Sequence, residues 1–145
     1  MTPQQLDRLQ RSFDAQSMMH SLGAQLCSVS TAAVTIKAPI LPGSRQQQGF
    51  AHAGLTFAIG DSAAGYAALT TLPLDREVVT AEMKINLLAP ALGDQLIAKG
   101  RVIKAGRQLI VVAADVFAQT GTTKRHIAAL QGTMVPVAAH TDEPP

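Results

Sequence analysis

Between His52 and Thr70 the chain runs through small and apolar residues with no proline before Pro73, and Asp61 stands alone in the middle of that run. From Arg45 to Asp75, ends excluded, it is the only formally charged side chain. Ala, Leu, Ile and Phe favour a helix here, which would be roughly 28 Å long at about 1.5 Å per residue. Leu55, Phe57, Ala58, Ile59, Ala63, Ala64, Tyr66, Ala67 and Ala68 spread around its circumference instead of forming one stripe, so burial should be nearly complete. A helix of this kind constrains everything else, because the remaining chain must wrap it. Gly60 and Gly65 each cost about 1 kcal/mol against alanine, which predicts the close approach of another backbone. An unpaired ionised carboxylate in such a place costs several kcal/mol or rises in pKa until it is neutral, so Asp61 needs a partner or a use.

The flanking segments supply the wrapping layer. Residues 24–30 and 32–38 read as paired strands, the second alternating Val34 and Ile36 with Thr35 and Lys37. Beyond the helix, Val79, Ala81, Met83, Ile85 and Leu87 alternate with Thr80, Glu82, Lys84 and Asn86, a period of two that predicts a strand. Residues 95–104, 109–119 and 124–135 follow, separated by the turn signals Ala105-Gly106 and Thr120-Gly121. Two strands, one long helix and four strands in hairpin succession predict an α+β domain with an antiparallel sheet curled around the helix. A single domain over 1–145 is expected, with 1–20 as an N-terminal helical arm begun by Thr2 and Pro3, and 138–145 as a flexible tail. Leu6, Leu9 and Phe13 lie at helical spacing in the arm, which serves as a lid or a packing element.

Composition excludes several classes. The chain has 145 residues, 47% hydrophobic and 15% charged, too apolar for disorder and without a run of eighteen apolar residues that could span a membrane. A net charge of +2 and 3% aromatic residues argue against nucleic acid as a partner. Residues 1–11 have no charged and then hydrophobic signal pattern, so a cytoplasmic protein is expected. Cys27 is the only cysteine and reads as a packed thiol in a strand. His20, His52, His126 and His140 lack the pair spacings that place two ligands on one helix face, so no metal is expected.

The order of residues also carries a resemblance. A polar loop residue, Gly49, His52-Ala53-Gly54 and Asp61 followed by small residues is similar to the hotdog-fold acyl-CoA thioesterases of the phenylacetate-degradation (PaaI-like) type. The likeness continues through residues 79–90, a strand that ends at Pro90, then Gly93-Asp94 and Gly106-Arg107, and covers Leu22 to about Pro136. Ala53 stands where the family usually has glycine, and Gln46 where it often has asparagine. The resemblance implies a hotdog fold and hydrolysis of an acyl or aryl-acyl coenzyme A thioester without metal or redox cofactor. It also implies a homodimer with one continuous sheet and composite active sites, sometimes paired into a tetramer. In such a site the backbone N–H of Ala53, beside Gly54, polarises the thioester oxygen with help from Gln46, while Asp61 and Thr80 of the partner orient water.

Read from the residues alone, Asp61 suits a general base or a nucleophile, or equally a structural carboxylate bonded to amides or an arginine. Nine residues separate it from His52, turning the helix by roughly 180° and advancing it roughly 13 Å, so the two cannot act on one substrate within one subunit. His52 either caps and orients the loop or transfers protons. Thr80 is either catalytic or an ordinary strand threonine, since alternation puts it on the face of Glu82 and Lys84. Arg101, Lys104 and Arg107, with Lys124 and Arg125, either receive coenzyme A phosphates or form a solvated face. Two other functions fit a hotdog domain: acyl-CoA binding without catalysis, and hydration, whose His-Phe-Pro-Gly type motif is missing from this chain.

Overall fold

A computed structural model of the chain describes residues 1–139. Residues 140–145 of the expected tail, which include His140, lie outside them. Ala138 does not belong to a tail: it ends the last strand, opposite Arg76.

Helix α1 (Pro3–Asp14) starts on a capping box, Thr2 and Gln5 each bonding the other's backbone N–H, with Pro3 in the first turn. Leu9 and Phe13, four apart, are its buried residues, whereas Leu6 faces solvent. A short helix α2 (Ser17–Ser21) leads into β1 (Gln25–Ser30) and β2 (Ala33–Pro39). The central helix α3 (Ala53–Leu69) is followed by β3 (Arg76–Leu87), β4 (Gln95–Ala105), β5 (Ile110–Thr120) and β6 (Thr123–Ala138).

All pairings are antiparallel, and the sheet runs β1-β2-β4-β5-β6-β3. The expected hairpin succession therefore holds for β4, β5 and β6 only. β3 does not pair with β4; it crosses to the far edge beside β6, because the helix must be covered on that side too. The sheet wraps α3, whose Ile59, Ala63, Ala64, Ala67 and Ala68 are fully buried against Ile36, Ala98, Val116 and Leu130. Burial is complete along most of the helix, but Ala53, Gly54 and Phe57 in its first turns are exposed.

The close backbone approach predicted from Gly60 and Gly65 lies elsewhere. A Cβ on Gly60 would meet the Leu130 side chain, and one on Gly65 would meet only the methyl of Met134, at 3.7 Å. Backbone meets backbone at Gly100 of β4, where an added Cβ would stand 2.2 Å from the carbonyl oxygen of Ala63. Gly100 thus lets the sheet lie directly on the middle of α3.

Candidate active site

Asp61 lies midway along α3 and is partly buried. The hydroxyl of Thr80 donates to its Oδ1 at 2.9 Å. Strict alternation along β3 puts Thr80 on the outer face, and the structure corrects that reading. A bulge between Thr80 and Glu82 leaves Ala81 without a partner, so Thr80, opposite buried Met134, shares the inner face with Met83 and Ile85. Desolvation pushes the Asp61 carboxyl above its ordinary 3.8, and the Thr80 bond opposes this only in part. The carboxylate therefore has one oxygen held by Thr80 and stands in a cleft of about 180 Å³ together with Ser62, Gly65, Tyr66, Glu77 and Val78.

The loop before α3 forms a second cleft, of about 480 Å³, lined by Gln46, Ala53, Thr56, Leu88, Pro90 and neighbours. No residue lines both clefts. The eight residues from Ala53 to Asp61 amount to roughly 12 Å of helix rise. Gly49 turns the loop with φ +88°. Arg45 holds it closed by donating to the carbonyls of Gly49 (2.8 Å) and Ile40 (3.1 Å), a part that sequence reasoning did not give to this arginine.

His52 is the N-cap of α3, and its Nδ1 accepts the N–H of Gly54 at 2.8 Å. That bond makes His52 a cap of the helix and takes Gly54 out of the set of free donors. The N–H groups of Leu55 and Thr56 turn back to the carbonyl of His52. Among the described residues the N–H of Ala53 has no acceptor, so at this helix start it is the donor left for a ligand oxygen. The side chain of Gln46 bonds within its own loop, to the backbone N–H and side chain of Gln48.

Arg101 has one guanidinium nitrogen engaged by a carboxylate. On the sheet it pairs with Asp115 at 2.5 Å, and Asp115 also meets His126 Nε2 at 3.0 Å. Lys104 and Arg107 are exposed at and beyond the end of β4. Register carries that end across the sheet from Ala105 to Ile110, Met134 and Thr80. Lys124 and Arg125 are exposed at the opposite end, where Lys124 pairs with Gln119 and Gln119 with Gln95. Cys27 is exposed, not packed: it follows inward-facing Leu26 and is skipped by the pairing where the register of β1 shifts between Leu26 and Ser28.

Sequence reasoning missed Ser12, Gln16 and Glu77, which line the Asp61 cleft. No local signal marks them, since Ser12 and Gln16 come from the N-terminal arm and reach the cleft only through tertiary packing.

Residues 48–124, more than half of the chain, match the family described as the thioesterase superfamily. The chain belongs to this family. A thioesterase family protein from Silicibacter pomeroyi superimposes with a TM-score of 0.91 at 32% identity, covering 93% of this chain and 99% of that one. The E. coli PaaI protein from the phenylacetic acid degradation operon superimposes with a TM-score of 0.83 over 92% and 94% of the two chains. At 17% identity that likeness is one of fold, the hotdog fold. A Saccharolobus solfataricus protein named "Putative esterase SSO1253" is 39% identical over 87 residues, 60% of this chain. The match spans 55% of that relative's length.

Proposed function

We propose that this thioesterase superfamily member hydrolyses acyl or aryl-acyl coenzyme A thioesters, with Asp61 as general base. The observation that carries the reading is a partly buried carboxylate with its pKa raised, one oxygen held by Thr80, in the lining of a cleft. A raised pKa makes a carboxylate a stronger base near neutrality while leaving a fraction ionised. Asp61 takes a proton from water, and the water oxygen bonds to the thioester carbonyl carbon. The N–H of Ala53 at the start of α3 holds the developing oxyanion, supported by the helix dipole. Collapse breaks the carbon–sulfur bond, and the departing thiolate takes the proton from Asp61, giving a carboxylic acid and free coenzyme A.

Because Asp61 and Ala53 serve different clefts, the reading pairs two chains, each supplying one end. The free edge of β3, with exposed Val79, Leu87 and the adjoining Leu88, supports such pairing. Lys104 and Arg107 are the cations proposed for the coenzyme A phosphates. The test is thiol release from acyl-coenzyme A thioesters by the wild type and by Asp61→Asn. Turnover should fall about 100-fold or more in the variant, the scale of a lost general base, with fold and oligomer unchanged. Wild-type protein that binds these thioesters and releases no thiol would establish a binding protein instead; near-normal turnover of Asp61→Asn would remove Asp61 as the base.

A further inference from the structure

The Asp61 cleft has a built far end. Tyr66, one turn and a half along α3 from Asp61, is 6% exposed, and its ring packs against Phe13 of α1 with centroids 5.9 Å apart. Gln16 donates its amide N–H to the Tyr66 hydroxyl at 2.5 Å, and Ser12 shares a hydrogen bond with it at 3.2 Å. The N-terminal arm that carries Ser12 and Gln16 is fastened down. Leu9 and Phe13 are buried beneath it, and the Arg8 guanidinium donates to the carbonyls of Leu69 (3.0 Å), Pro73 (2.7 Å) and Arg76 (3.0 Å) at the end of α3 and the start of β3. A wall held by three charge-assisted bonds and two buried anchors is part of the fold and not a mobile lid.

We infer that Tyr66, latched by Ser12 and Gln16 of the fixed α1 arm, closes the acyl pocket at about the size of one ring and so selects short or single-ring, uncharged acyl groups. This deepens the thioester-hydrolase reading and rests on it. Hydrolysis at Asp61 requires the thioester carbonyl near that carboxylate, which places the acyl group in the same cleft and sends coenzyme A outward. A cavity of about 150 Å³ holds a benzene molecule, so the roughly 180 Å³ that this one chain contributes to the cleft matches a ring or a short chain better than a palmitoyl chain. The Tyr66 hydroxyl cannot move aside freely, because a buried hydroxyl stripped of partners costs about 1 to 3 kcal/mol. Burial, and to a lesser extent the charges of Glu77 and Asp14, raise the Tyr66 pKa, and Glu77 brings its charge into the lining of the same cleft. An acyl group ending in a carboxylate would meet that charge.

The test compares kcat/KM for acetyl, butanoyl, hexanoyl, benzoyl, dodecanoyl and palmitoyl thioesters, and for glutaryl against hexanoyl. Wild-type protein should favour butanoyl, hexanoyl or benzoyl over palmitoyl, and hexanoyl over glutaryl, each by ~10-fold or more, the scale set by a few methylenes in a closed pocket. Ser12→Met, which fills the far end, should lower hexanoyl relative to acetyl by ~10-fold, while Ser12→Ala with Gln16→Ala should raise dodecanoyl relative to butanoyl by a similar factor. Loss of fold would lower every thioester together and leave these ratios alone. Binding of S-hexyl and S-dodecyl thioethers of coenzyme A, read by calorimetry, follows the same selection without turnover. A wild type that hydrolyses thioesters but prefers palmitoyl, or ratios that stay flat in both folded variants, overturns the selection and leaves the hydrolase standing. No thiol release together with equal affinity for both thioethers overturns the two together.

Discussion

Asp61 bears two consequences of one desolvation. Its folded-state pKa is above the unfolded value of about 3.8, so the folded protein holds this proton more tightly than the unfolded chain. The contribution of a group raised in this way is fully present below the unfolded value and is lost as pH rises through the folded pKa. At pH 7 the ionised carboxylate therefore costs stability, and Asp61→Asn should raise Tm at that pH while lowering turnover about 100-fold or more. The gain should shrink as the pH is lowered towards and below about 3.8, which thermal melts over a pH series will check. Thr80→Val adds a second test. The valine keeps the shape but removes the donor that favours the charged carboxylate, so the Asp61 pKa rises further. The acid limb of kcat/KM should then move to higher pH; an unmoved limb would deny Thr80 its part in setting the base. Of these two residues, only Asp61 was legible from its own surroundings in the sequence; Thr80 came from the family resemblance, against the alternation of its strand. A lone charge in an apolar run is a local signal. The inward turn of Thr80 depends on a bulge, and a bulge is a mismatch of count between β3 and β6 that β3's own alternation conceals.

The central helix was legible as an element because its composition and its lack of proline act locally, and both of its ends fall within a residue of expectation. What covers it was less legible. Helical glycines suggested the contact point, yet the contact is made by a strand glycine, because a β-strand can lie flat on a helix only where it has no side chain in the way. Two substitutions separate these roles. Gly100→Ala drives a methyl into the Ala63 carbonyl and should force β4 off α3, costing about 1 to 3 kcal/mol as overpacking does. Gly65→Ala meets only the Met134 methyl at ordinary contact distance and gains helix propensity, so it should be neutral or stabilising by up to about 1 kcal/mol. Denaturant melts of both variants test the assignment, and a Gly100→Ala protein as stable as the wild type would place the tight approach elsewhere. The strand order belongs to this scale as well. Alternation predicts that residues 79–87 form a strand but says nothing of its neighbour, and covering the exposed flank of the helix is what sends β3 beside β6.

At the scale of the whole molecule, the proposed site needs two chains, and the donor geometry at the start of α3 supplies a clean way to test that. The N–H of Ala53 is the donor assigned to the oxyanion, and Ala53 is the first residue of the helix. Proline is well accommodated at that position, since no intrahelical bond is lost and its fixed φ suits the helix. His52, which would precede it, already has the extended backbone that a following proline requires, with φ −63° and ψ 142°. Ala53→Pro should therefore fold and assemble normally while deleting the one N–H in question, lowering turnover about 100-fold or more, the scale of a lost oxyanion donor. Combine it with Asp61→Asn in separate chains. Each homodimer has two dead sites, because every site lacks either the donor or the base. In a dimer of one Ala53→Pro chain and one Asp61→Asn chain, one composite site gathers both defects. The other joins the intact Ala53 of the Asp61→Asn chain to the intact Asp61 of the Ala53→Pro chain. Purified through two different tags, the heterodimer should regain up to about half of wild-type activity, since one of its two sites is whole. A folded heterodimer that stays inactive would require base and donor to come from the same protomer, and the roughly 12 Å of helix rise between them makes that arrangement unable to place both on one thioester carbonyl.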